Sequence, residues 1–215
     1  MPDDPPPTRT PRWSRRSDAR PTEIVSAALT LFAERGFAAT TLADVAQAAG
    51  ISKGTVYLYF PTKEDLFRAV VRQELLPNVG RIEAMIDAHQ GSAADMLRLV
   101  ADQMLHVMDT QVGGIPKLIL AESGNFPEIA RFYADEVIGR GIRLFTRILS
   151  HGVARGEFRH IEPMHLLPSL VGPMVMMVMW RHSVGRHSTL QFDPRTVVET
   201  HIGLLLRGLR PETGA

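Results

Sequence analysis

The chain has 215 residues, of which 45% are hydrophobic and 22% are charged, a composition typical of a globular protein with one large or two small domains. It contains no cysteine, which excludes disulfides and thiolate metal sites, and its formal net charge of +1 gives no global basic field. Residues 1–20 lack the apolar core of a signal peptide, and we therefore expect a cytoplasmic protein.

Residues 1–16 are basic and rich in proline, and we expect them to form a disordered arm. Five arginines and a single acid lie between Arg9 and Arg20. Such a segment is equally consistent with a solvated tail and with an arm that reaches DNA. In the second case, the arginines nearest the folded chain would contact DNA: Arg15, Arg16 and Arg20.

Two helices are predicted ahead of residue 50. From Thr22 the apolar residues recur at i, i+4, i+7 and i+8, which is the period of an amphipathic helix, and Gly36 ends this helix. A second helix begins after a threonine cap, either Thr40 or Thr41. Gly50 ends it, because glycine readily takes the left-handed conformation that follows a helix.

Residues 49–60, AGISKGTVYLYF, predict a third short helix that is capped by Ser52. Val56 and Phe60 would face the core. Gly54 in its first turn costs about 1 kcal/mol relative to alanine, so it is a poor choice for a helix that only fills a core. We interpret it as a place where something outside the protein comes close to the backbone.

A fourth helix begins after Thr62, which forms a variant capping box with Asp65. We expect it to run to about His89 with a bend near Pro77. Period-two alternation is absent, so we predict an all-α fold of about nine helices. A three-helix unit occupies 17–61, and the fourth helix joins it to a larger body at 62–211, whose further amphipathic stretches are about 92–110, 115–123, 127–154, 163–183 and 194–209.

Two short helices joined by a glycine turn form a helix-turn-helix, whose second helix lies in the major groove with its first turn toward the bases. Lys53 can reach phosphate or guanine there, and Thr55 can hydrogen-bond to a base or contact a thymine methyl. Tyrosine hydroxyls suit phosphate oxygens, although Tyr57 could instead pack between helices. Lys63 lies at the positive end of the fourth helix, toward the same DNA backbone.

Residues 24–67, IVSAALTLFAERGFAATTLADVAQAAGISKGTVYLYFPTKEDLF, resemble the DNA-binding domain of the tetracycline-repressor (TetR) family. The matching segments are LFAERGF, TTLADVAQAAGIS, KGTVYLYF and TKEDLF. The resemblance implies a homodimeric all-α regulator, usually a repressor, that binds a double-stranded DNA operator and is released by a small-molecule effector. The residues that it implies as DNA contacts are Thr41, Ser52, Lys53, Gly54, Thr55, Tyr57, Tyr59 and Lys63; position 59 is often histidine in the family.

The last predicted helix, DPRTVVETHIGLLLRGLRP, is apolar on more than one side, and such a helix usually has a partner on each. With the uncharged helix before it, this pattern predicts a four-helix dimer interface; burial within its own chain is the alternative. Residues 166–180 fall short of the roughly 20 that span a membrane, so we expect no membrane contact. The predicted interface residues are Val198, Ile202, Leu205, Leu206 and Leu209, with Val197 and Leu204 on another face.

Methionines recur in the predicted body, where they can either line a cavity for a small, mostly apolar effector or fill ordinary core. Met104 and Met108 lie one turn apart and are the first candidates for a cavity. Trp180 fits an interface as well as it fits a pocket. The complete predicted pocket is Met104, Met108, Phe126, Phe132, Phe145, Met177 and Trp180.

The sequence shows no catalytic, cofactor or metal motif. G-x-S-x-G, P-loop and H-E-x-x-H motifs are absent, and Leu144 stands where a dinucleotide fingerprint needs a third glycine. None of the eight histidines pairs with another at i, i+4 within a predicted helix. We therefore predict a ligand-responsive DNA-binding transcriptional regulator without cofactor, metal or catalytic residues. Two alternatives stay open: a small-molecule-binding helical protein or enzyme with an incidental N-terminal domain, and a constitutive non-specific DNA binder.

Overall fold

The computed structural model describes residues 14–211, with side chains from residue 20 onward. The predicted arm therefore lies outside the described residues, except that the backbone at 14–16 already belongs to the first helix. The helices are α1 (Ser14–Arg35), α2 (Leu42–Ala48), α3 (Lys53–Tyr59), α4 (Lys63–Val70), α5 (Leu76–Ala88), α6 (Ala93–Met108), α7 (Ile115–Glu122), α8 (Pro127–Tyr133), α9 (Gly139–Ala154), α10 (Pro163–His182) and α11 (Pro194–Gly208).

Two pairs of these helices are continuous through a π-helical turn. Val71–Leu75 joins α4 to α5, and Ala134–Ile138 joins α8 to α9. The π-helical turn between α4 and α5 ends just before Pro77, which has no N–H to donate. This turn therefore lies where we predicted a bend. Counted in this way, the described chain has nine longer helices and no strand, which confirms the predicted all-α fold.

The N-terminal unit, α1 to α3 with α4 packed on it, has one apolar core. Phe37 lies at its centre, with its ring 5.6 Å from Phe67 in an edge-to-face contact. The cap of α2 is Thr41, whose side chain and Asp44 form a reciprocal capping box, while Thr40 is buried. Gly50 has a φ of +66°, which confirms the left-handed turn predicted between α2 and α3.

The body, α5 to α11, is built around α6, α9, α10 and α11. Its core includes Leu97, Ile148 and Leu170, each almost fully buried. Gly152 allows α9 to approach the chain that follows it, because Phe158 folds back over this position. The packing of α9 therefore depends on residue 152 being a glycine, which has no side chain.

Replacing Gly152 with alanine is expected to lower the free energy of unfolding by roughly 1–3 kcal/mol, since the new methyl group overpacks the core. A Cβ here would lie 2.3 Å from Phe158 Cδ2 and 2.9 Å from Ala93 Cβ. Gly141 in the same helix has nothing within 4 Å of the equivalent position, so Gly141→Ala is the matched control. Denaturant unfolding compares the two variants, and equal stability would contradict this account of α9.

One side of α11 packs inside the chain. Val198, Ile202 and Leu209 are 2%, 4% and 2% exposed, against α6 and α10 among other neighbours. Leu205 and Leu206 are half-buried against the same clusters. This corrects the assignment of Val198, Ile202 and Leu209 as interface residues, because side chains that fill their own core are not available to a second subunit. A contact of Leu205 and Leu206 with a second subunit stays a prediction.

The outer sides of α10 and α11 remain apolar and exposed. Leu204 of α11 is 57% exposed, and Met176 of α10 is 56% exposed. By length and composition alone, α10 could cross a membrane. Only 28% of its most apolar stretch of 18 residues is buried inside the described protein. One side of α10 is thus buried in the body, and the other side needs its own explanation.

Candidate DNA-binding and effector sites

The first turn of α3, residues 52–55, presents small polar groups at the surface. Ser52 Oγ accepts a hydrogen bond from the Thr55 N–H at 3.2 Å and lies 2.8 Å from Thr55 Oγ1. Val56 anchors the turn, since it is fully buried in the N-terminal core. A Cβ on Gly54 would meet only Ser52 Oγ, at 3.9 Å, among the described residues. This turn is therefore accessible to a large partner.

Lys53 and Tyr57 lie together beside this turn. The Lys53 ammonium is 5.6 Å from the centre of the Tyr57 ring, within the range of a cation–π contact. Tyr57 is 45% exposed, so it does not pack between helices, which was the alternative interpretation. Tyr59, by contrast, is half-buried against the N-terminal core. Contact of either hydroxyl with phosphate stays a prediction.

Lys63 is engaged within the protein. Its ammonium donates hydrogen bonds to the carbonyl oxygens of Phe37 at 2.7 Å and Ala38 at 3.1 Å, and it lies 4.4 Å from the centre of the Phe37 ring. Burial lowers the pKa of this ammonium. Since an ammonium has three donors, only one is left for phosphate. Lys63 therefore holds the α1–α2 loop against α4, whatever it contributes to DNA binding.

The hydroxyl of Thr41 is also used internally. It donates to the Asp44 carboxylate at 2.6 Å and accepts from the Asp44 N–H at 3.2 Å. The bond from the Thr41 hydroxyl and a second one from the Thr41 N–H at 2.8 Å lower the pKa of the Asp44 carboxyl, so it stays ionised. A hydroxyl has one proton to donate, and a phosphate contact by Thr41 would have to replace the bond to Asp44. Arg20, in α1, is half-exposed, and its contact with DNA remains a prediction.

A cavity of about 240 Å³, which we call the effector cavity, lies in the body between α6, α7, α8, α10 and α11. Three predicted residues line it, namely Met104, Met108 and Met177. The side chains that line it in the described structure carry no formal charge, and the one polar group among them is the hydroxyl of Tyr133. Sequence analysis missed Tyr133, because no local pattern around it indicates that it faces a cavity.

The four predicted aromatic residues lie outside the cavity. Phe145 fills the core of the body, and the Trp180 ring packs edge-to-face on Phe192 at 5.0 Å. Phe126 packs edge-to-face on Phe37 in the N-terminal unit, with ring centres 4.7 Å apart. The remaining residue, Phe132, packs against the guanidinium of Arg72 in the turn that joins α4 to α5. Their assignment to the cavity is corrected accordingly.

Two helices touch both the effector cavity and the N-terminal unit. α7 lines the cavity with Ile119, and Glu122 at its end accepts a hydrogen bond from the Ala38 N–H at 3.1 Å. α8 lines it with Tyr133, and the guanidinium carbon of Arg72 lies 5.0 Å from the centre of the preceding Phe132 ring. A change in the cavity can therefore act on the α1–α2 loop and on α4 through direct contacts.

Comparison with known proteins agrees with this arrangement of a helix-turn-helix on a helical body. Residues 24–70 match the bacterial regulatory proteins of the tetR family, and residues 87–191 match the tetracyclin repressor-like C-terminal domain. The chain belongs to the tetR family of bacterial regulatory proteins. It is thus a DNA-binding transcriptional regulator and not an enzyme, which confirms the class predicted from residues 24–67.

Relatives match over most of the chain. The transcriptional regulator RutR of Escherichia coli K12 is 46% identical over 172 residues, which cover 74% of this chain and 73% of RutR. The transcriptional repressor KstR2 of Rhodococcus jostii is 28% identical over 88% of this chain and 91% of its own. Among solved structures, Bacillus subtilis FadR in complex with stearoyl-CoA has a TM-score of 0.69 and 21% identity, over 88% of this chain and 99% of FadR.

Proposed function

We propose that this tetR-family protein is a cytoplasmic repressor that binds a palindromic operator as a homodimer and leaves it when a small, mostly apolar molecule enters the effector cavity. The observation that carries the proposal is the polar first turn of α3, which is open at the surface of the N-terminal unit. Helices α7 and α8 line the cavity and also contact this unit, so the turn and the cavity are connected. The name of KstR2 as a transcriptional repressor supports repression rather than activation.

Residues 52–55 support sequence-specific reading rather than constitutive non-specific binding. A non-specific binder needs cationic contacts to phosphate, which carry no sequence information. Here the exposed turn combines one cation, Lys53, with the hydroxyls of Ser52 and Thr55 and with an unobstructed backbone at Gly54. Hydroxyls at the start of a recognition helix can contact the edges of bases.

Replacing Lys53 with alanine is expected to weaken operator binding, because the ammonium is lost from the edge of the recognition turn. A base contact would cost roughly 1–3 kcal/mol at one base pair, whereas a phosphate contact would lower the salt slope by about 1. Fluorescence anisotropy at several salt concentrations, on a duplex selected from a random pool, measures both.

Lys117→Ala in α7 is the matched control, since it removes the same charge far from residues 52–55 in sequence and leaves operator affinity nearly unchanged. Equal losses in the two variants would indicate a general charge effect and would contradict a specific role for Lys53. A random pool from which no duplex is enriched would favour the constitutive binder instead.

Dimerisation is supported by the outer sides of α10 and α11. These helices pack on each other, and each leaves an apolar side exposed, with Met176 on one and Leu204 on the other. A second copy of the chain would cover both sides and form the four-helix interface. Recognition of a palindrome requires two reading helices at a fixed spacing of about 34–36 Å or a multiple of it, which a dimer supplies.

The effector acts, in this proposal, by changing that spacing. A ligand releases DNA only if it prefers the conformation that does not fit the operator, since equal affinity for both conformations shifts nothing. The contacts of α7 with the α1–α2 loop and of α8 with the turn after α4 connect the cavity to the position of the reading unit. The structure of FadR with stearoyl-CoA shows that a protein of this fold can hold a ligand with a long apolar chain.

A further inference from the structure

The hydroxyl of Tyr133 lacks the partner that a buried polar group normally has. Tyr133 is 8% exposed, and no hydrogen bond joins its side chain to any part of the chain that the structure describes. Polar groups of buried residues normally have a partner in the protein or in water, so a hydroxyl without one in the protein marks a place where a bound molecule can supply it. Burial raises the pKa of the phenol, which therefore remains neutral and able to donate a proton.

Tyr133 lines the effector cavity, and its hydroxyl oxygen is not sealed from solvent. Side-chain atoms that are both sealed from solvent and unpaired do occur in the described structure, but they are the Nε2 atoms of His89 and His151. The Tyr133 oxygen is not one of them, although its residue is buried and lines the cavity. The small exposed part of the side chain therefore includes the oxygen, and a ligand inside the cavity can reach it.

The π-helical turn after Tyr133 contributes to this geometry. Ala134–Ile138 follows it directly, and Ile138 at the end of the turn also lines the cavity. Residues five apart diverge on an α-helix, but a π turn, with its i to i+5 hydrogen bond, brings them toward one side. The turn thus directs both residues to the ligand space, in keeping with the frequent occurrence of π turns at functional sites.

The rest of the lining determines the charge of the ligand. The described side chains around the cavity are aliphatic or methionine apart from Tyr133, and none can neutralise a carboxylate, phosphate or ammonium group. Burial of an unpaired charge costs far more than burial of a neutral polar group. A neutral phenol can donate one hydrogen bond to a carbonyl or exchange one with a hydroxyl.

We propose that Tyr133 is the polar anchor of the effector cavity, and that the effector is an uncharged, largely apolar molecule that places one hydrogen-bonding oxygen, of a ketone or an alcohol, on the Tyr133 hydroxyl. This assignment rests on the proposed function, because it takes the cavity to be the effector site. The methionine side chains around it adapt to the apolar remainder of the molecule.

The test uses three small probes and the full chain labelled with ¹³C at the methionine methyl groups. Acetophenone carries a carbonyl oxygen, ethylbenzene has a methylene group in its place, and benzoate carries a charge. Met104, Met108, Met174 and Met177 line the cavity, so their methyl signals report binding there. Tyr133→Phe removes the hydroxyl and keeps the ring.

The phenylalanine variant is expected to bind acetophenone roughly threefold to tenfold more weakly than the natural chain, and ethylbenzene equally well. Benzoate should leave the four methyl signals unshifted in both proteins. The unfolding temperature of the variant should be unchanged or higher, because the substitution removes an unpaired hydroxyl. A hydroxyl with a structural role would instead lower it.

An equal change for acetophenone and ethylbenzene would overturn the role of Tyr133, and binding of benzoate at the same methyl groups would overturn the uncharged ligand class. If neither uncharged probe shifts these signals, the cavity is not a ligand site, and the effector part of the proposed function fails with it. Operator binding is measured separately through Lys53, so a failure of DNA recognition is distinguished from a failure at Tyr133.

Discussion

Replacing Met176 and Leu204 together with glutamate is expected to give a folded monomer whose operator affinity is roughly 10²–10⁴-fold weaker. Both side chains are more than half exposed, so the isolated subunit tolerates the carboxylates. In a dimer that buries this surface, the same carboxylates would lose their water without a partner, at a large cost in free energy. A monomer then reaches one half-site at a time and loses the gain from linked binding.

Sedimentation at micromolar concentration gives the mass, and circular dichroism confirms that the helices remain. Ile202→Glu is the contrasting variant on the same helix: Ile202 is 4% exposed, and the charge is expected to destabilise the subunit itself. A double variant that sediments as a dimer would place the interface elsewhere. Flotation of the natural chain with lipid vesicles would show that the exposed side of α10 contacts a membrane instead of a second subunit.

The N-terminal unit was predictable because its signals are local. A threonine or serine cap satisfies the first N–H groups of the helix that immediately follows it, and Gly50 ends α2 through its own backbone conformation. The bounds of α2 and α3 therefore follow from neighbouring residues. Lys63 shows the limit of this reasoning, since its partners are the carbonyls of Phe37 and Ala38, which are distant in sequence.

The cavity was only partly predictable, because helical period gives the sides of a helix but not its neighbours. Met104 and Met108 were found since both lie on one side of α6, whereas Phe126 and Phe145 pack in two different cores. Likewise, the two apolar sides of α11 were visible in the sequence. Which side packs against its own chain depends on α6 and α10, whose positions no local pattern specifies.

Gly54→Ala separates the stability of α3 from its function. In the folded chain a Cβ here meets only Ser52 Oγ, at 3.9 Å among the described residues, so alanine fits without strain. Because alanine is the better helix former, the variant is expected to gain up to about 1 kcal/mol in its free energy of unfolding. If the operator approaches this backbone closely, the same methyl group prevents it, and affinity should fall by about tenfold or more, equivalent to about 1.4 kcal/mol.

Thermal unfolding and anisotropy titration on the selected duplex measure the two effects on the same preparation. Gly141→Ala is the control, since Gly141 also has open space around it but lies in α9 of the body. It should raise stability to a similar extent and leave operator affinity unchanged. Unchanged affinity in Gly54→Ala would mean that DNA does not contact this turn, and the glycine would then need another explanation. Opposite signs for stability and affinity are the expected result, because a position selected only for folding would favour the more stable residue.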